Sequence, residues 1–110
     1  MMGLLLLASA AVAPTYEPPP ELWYRQAVSC AVTLKLDAGK EPSSRQFADL
    51  MTWGMIMADQ GRKAGRTRDQ VDHEDIEAAE PFYRYLKEKK PAAFAAHSAY
   101  CRALFDADRP

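Results

Sequence analysis

Apolar side chains recur at spacings of three and four along most of this chain, with no alternating stretch, so the pattern predicts helices and no strands. In a first helix, from about Pro20 to Asp37, Trp23, Ala27, Cys30, Ala31 and Leu34 share one stripe. Pro20 suits a first turn, where its missing N–H would have no partner. Gly39 offers a left-handed stop, and Pro42 blocks continuation. A second helix begins at Ser43 or Ser44, either of which can cap it, and ends near Ala64 before Gly65. Phe47, Leu50, Met51, Gly54, Met55 and Ala58 form its main apolar face, with Trp53, Ile56 and Met57 on the other side. A helix apolar over most of its circumference is expected at the centre of a bundle.

The third segment opens with Thr67 and Gln70, the spacing of a capping box. Val71, Ile76, Ala79, Phe82, Tyr83 and Leu86 continue it at helical spacing, with Pro81 inside the pattern. A proline there removes one hydrogen bond and clashes with the carbonyl of Glu77, so a kink or a split at Glu80 is expected. The last helix starts at Pro91 and carries Phe94, His97, Cys101, Leu104 and Phe105 on one face. The fold class that follows is all-α: a small four-helix bundle over residues 21–108.

Ahead of it, Met1 to Ala13 is an apolar leader that reads as an export signal. The Gly3–Ala13 run is too short to span a bilayer as a helix. The run Ala8-Ser9-Ala10-Ala11-Val12-Ala13 offers cleavage points after Ala10 to Ala13, although the leader's start carries no Lys or Arg. Pro14, Pro18, Pro19 and Pro20 make the next stretch, 14–20, an extended tether. The 110 residues leave room for one domain, and 48% hydrophobic with 26% charged residues is an ordinary globular balance. A formal net charge of −1 gives no overall field favouring nucleic acid or an anionic membrane.

Export changes the meaning of the two cysteines. Cys30 and Cys101 lie in the apolar stripes of the first and last helices, which are neighbours in an up-down-up-down bundle. In an oxidising compartment they are expected to form a disulfide, closing a loop of about 70 residues. His97 stands one turn before Cys101, but acids are scarce on that face and a disulfide consumes the thiols, so no metal is expected there. His73 and Glu77 form an exposed acidic face without a second cluster to complete a site. Arg62, Lys63, Arg66 and Arg68, followed by Asp69, Asp72, Glu74, Asp75, Glu77 and Glu80, complement the dipoles of adjoining helix ends without needing a ligand.

The most promising feature is the second helix, where Met51, Trp53, Met55, Ile56 and Met57 make a polarizable apolar face able to repack around a partner. No nucleophile elbow, phosphate loop or cofactor fingerprint is present, and Ser29 and Ser98 have no base in range by sequence, so neither catalysis nor a cofactor is expected. The expected function is protein binding in the bacterial envelope, periplasmic or secreted, without stable membrane insertion once the leader is removed. Size, leader and helical disulfide are similar in type to small periplasmic acid-stress chaperones and to helical immunity proteins that block toxins. That analogy of architecture carries no residue over. A structural envelope protein or a small enzyme are the remaining alternatives.

Overall fold

The computed structural model describes residues 20–107, and they form four helices with no strand among them. The leader and most of the tether lie outside the described residues. Helix α1 spans Pro20–Ala38, α2 spans Ser44–Lys63 and α4 spans Pro91–Ala107. Helix α3 is built of joined pieces: an α turn at Arg68–Gln70, a π segment at Val71–Asp75 and an α-helix at Ile76–Lys89.

The ends are set by the residues the sequence places there. Gly39 has φ 71° and Gly65 φ 82°, a left-handed backbone that only glycine adopts cheaply. Ser43 accepts from the Gln46 N–H while the Gln46 side chain accepts from the Ser43 N–H, and Thr67 and Gln70 repeat the exchange. Each capping box satisfies two backbone donors that would otherwise lack partners. Across the bundle, Lys87 Nζ donates to the carbonyl of Leu36 at 2.6 Å, so α3 caps the last turn of α1.

Of the two outcomes expected at Pro81, the split does not occur, since the helix runs through it to Lys89, and a kinked third helix is consistent with its joined pieces. The departure from regular winding is the π segment upstream, where the Ile76 N–H reaches back to Val71 rather than one residue less far. Val71 is buried there, and Asp75 faces α1. Phe82, expected inside, is 57% exposed, while Tyr83 on its other side packs against the core.

The central helix is α1 and not α2. Tyr24, Ala27, Val28, Cys30, Val32, Thr33, Leu34 and Leu36 are all buried, far more than the single stripe the spacing suggests, and α1 packs against α2, α3 and α4. Helix α2 buries one side only: Asp49, Trp53, Met57 and Gly61. A Cβ on Gly61 would lie 3.0 Å from both the Tyr24 ring and the Val71 side chain, so this close approach fixes which side of α2 turns inward. Trp53 at 1% exposure and Phe94 at 5% fill much of the core, each contributing roughly 1.5–3 kcal/mol by burial.

Candidate functional site

Cys30 and Cys101 form a disulfide between α1 and α4, with Cα atoms 5.4 Å apart and a sequence separation of 71. Both residues are fully buried. The expected pairing is therefore present and ties the first helix to the last.

Around it the fold gathers polar groups that the sequence keeps far apart. His97 of α4 projects between α1 and α3, its Nδ1 3.0 Å from Thr33 Oγ1 and its Nε2 3.2 Å from Ser29 Oγ. Ser29 Oγ in turn lies 2.6 Å from the Tyr83 hydroxyl, and the Tyr83 ring stacks on the imidazole at 5.2 Å. Cys101 Sγ is 3.9 Å from both ring nitrogens. Burial holds the His97 pKa below the ordinary histidine range, so the ring is neutral at pH 7. Ser29 does find a base here. Its neighbouring backbone N–H groups are used inside α1, however, so that stretch offers no oxyanion donor. On this geometry the chain Thr33–His97–Ser29–Tyr83 joins three helices through partly buried hydrogen bonds.

The outer end of this chain borders an open groove of about 620 Å³ between α1 and α3. At its other end the Tyr24 hydroxyl donates to Asp75 Oδ2 at 2.7 Å, and Arg66 clasps the same carboxylate through Nε and Nη2 at 2.9 and 2.8 Å. The Arg66 guanidinium, with help from the Tyr24 hydroxyl, outweighs burial and holds Asp75 below the usual carboxylate range. Burial, then the hydrogen bond to Asp75 and the charge on that carboxylate, raises the Tyr24 phenol, which keeps it a donor. Arg68 pairs with Asp72, and Arg62 and Lys63 with Asp59. The sign-ordered charges thus include real pairs as well as dipole partners. His73 and Glu77 are about two-thirds exposed, 3.7 Å apart.

The expected binding face of α2 divides in two. Trp53 and Met57 belong to the core and Ile56 packs against it, because the side of α2 that meets α1 is the one bearing Gly61. Met51 and Met55 point the other way and are 55% and 71% exposed. Phe47, one turn before Met51, is 57% exposed. Phe47, Met51 and Met55 therefore form an uncovered apolar row at spacings of four along one helix.

Ser29, Thr33, Tyr83, Tyr24 and Asp75 were not marked as site residues by sequence. Hydroxyls on a largely apolar α1 were a weak signal, since Ser29 and Thr33 share a face at a spacing of four. Their partners come from α3 and α4. Comparison with protein-family models, with curated proteins and with solved structures finds no match to this chain.

Proposed function

We propose that this chain is an exported helical protein that works by binding another protein of the bacterial envelope through α2. The observation that carries the reading is the row Phe47, Met51, Met55, left uncovered while the opposite side of the same helix is packed. Three large apolar side chains in line on a small domain favour contact with a partner, and methionines adapt to its shape. The Cys30–Cys101 disulfide supports an oxidising compartment. No helix among the described residues is long and apolar enough to cross a membrane.

A photo-crosslinker placed at Met55 in the full chain, with one at exposed Glu88 as control, tests the reading in envelope fractions. A discrete adduct from position 55, absent from position 88 and lost on Met51→Lys, is the expected result. Identical adducts from both positions, or none from position 55, would overturn it. One adduct of fixed stoichiometry marks an inhibitor-like protein, and a ladder of adducts a chaperone-like one.

A further inference from the structure

We propose that the dithiol form of this chain binds one Zn²⁺ between α1 and α4, through Cys30 Sγ, Cys101 Sγ and a ring nitrogen of His97. Every newly made chain carries these two thiols before the disulfide closes, so no reductant is needed to reach this form. One ligand atom from each of the three residues lies within 4.8 Å of the other two. Tetrahedral zinc, with Zn–S of about 2.3 Å and Zn–N of about 2.0 Å, sets its donors about 3.5–4 Å apart. Cys101 Sγ already stands 3.9 Å from the imidazole nitrogens, and the Cα separation of 5.4 Å leaves the sulfurs free to part once unbonded.

The chemistry of the surroundings agrees with the spacing. Two thiolates, a neutral imidazole and Zn²⁺ sum to zero charge, the condition for tolerating ions where both cysteines are fully buried. Binding releases the two thiol protons to solvent and uses one lone pair of His97. The other ring nitrogen keeps its hydroxyl partner, Thr33 at Nδ1 or Ser29 at Nε2, the kind of outer contact that orients a metal-binding histidine. A water completes a three-residue zinc site. Exchange with another disulfide, which takes up the two electrons and two protons and leaves as a dithiol, turns two of the three ligands into the Cys30–Cys101 bond. Metal and disulfide are thus alternative clamps at one place, between the same two helices.

The full chain, reduced with a phosphine that takes its oxygen from water and delivers the two hydrogens to the thiols, is stripped of metal and titrated with Co²⁺. The expected result is one equivalent bound, with thiolate charge-transfer and tetrahedral d–d absorption, displaced by Zn²⁺ and absent from the oxidised chain. His97→Ala should weaken binding more than about a hundredfold, beyond the roughly 10–100-fold that losing an outer contact costs. Circular dichroism follows the fold throughout: helix lost on reduction and regained with Zn²⁺ supports the site equally. Absence of cobalt absorption, an affinity loss in His97→Ala of less than about a hundredfold, or a reduced chain that zinc fails to refold would each overturn it.

Discussion

Tyr24 and Asp75 stand 51 residues apart in sequence, yet the phenol donates to the carboxylate at 2.7 Å, and Arg66 holds the same group from the other side. Asp75 is charged in the folded chain well below the pH at which a free carboxylate protonates. A carboxylate whose folded pKa is depressed stabilises fully above its unfolded value of about 3.9, and the contribution fades as pH falls through the lower folded value. Asp75→Asn should therefore lower Tm at pH 7, and thermal melts of the two proteins should converge below about pH 4. A gap that persists unchanged to pH 2 would show that the charge is not what matters.

Gly61 lets α2 approach α1. Gly61→Ala gains about 1 kcal/mol of helix propensity, but the new methyl must push on Tyr24, which Asp75 anchors, and on buried Val71. Overpacking of this kind costs about 1–3 kcal/mol. Urea denaturation should give a net loss of stability. Gly54→Ala, with open space at the added carbon, should be stabilising in the same assay.

The disulfide closes a 71-residue separation. In the chain-entropy account, a loop of that size is worth about 4 kcal/mol through the unfolded state. The double variant Cys30→Ala, Cys101→Ala, kept metal-free, should lose most of that in urea midpoint measurements. A loss below about 1 kcal/mol would mean that the unfolded chain already holds α1 and α4 together.

The two sides of α2 should respond oppositely to substitution. Trp53→Ala empties a fully buried site and should cost about 3–5 kcal/mol. Met55→Lys, at a position 71% exposed, should change stability by no more than about 0.5 kcal/mol while abolishing partner capture. Chemical denaturation of both variants checks the contrast.

Helix ends were legible because they depend on neighbours in sequence: Ser43 with Gln46, Thr67 with Gln70, and glycines at 39 and 65. The disulfide was legible for a related reason, since both cysteines sit in apolar stripes of helices that any short-looped bundle places side by side. The orientation of α2 was not. By apolar count, Phe47, Met51 and Met55 looked like the inward side, yet the choice rests on Gly61 fitting against Tyr24, a matter of shape between helices that hydrophobicity does not encode. The polar chain around His97 was hidden similarly, because its four members come from three helices.

The order of the helices has a consequence for synthesis. Helix α1 touches all three others and leaves the ribosome before any of them, while Cys101 lies on the last of the four to be made. With chains emerging at about 5–20 residues per second, the most deeply buried helix waits several seconds for the surfaces that shelter it. The disulfide between α1 and α4 can close, and α1 can be covered on every side, only after the final helix has emerged.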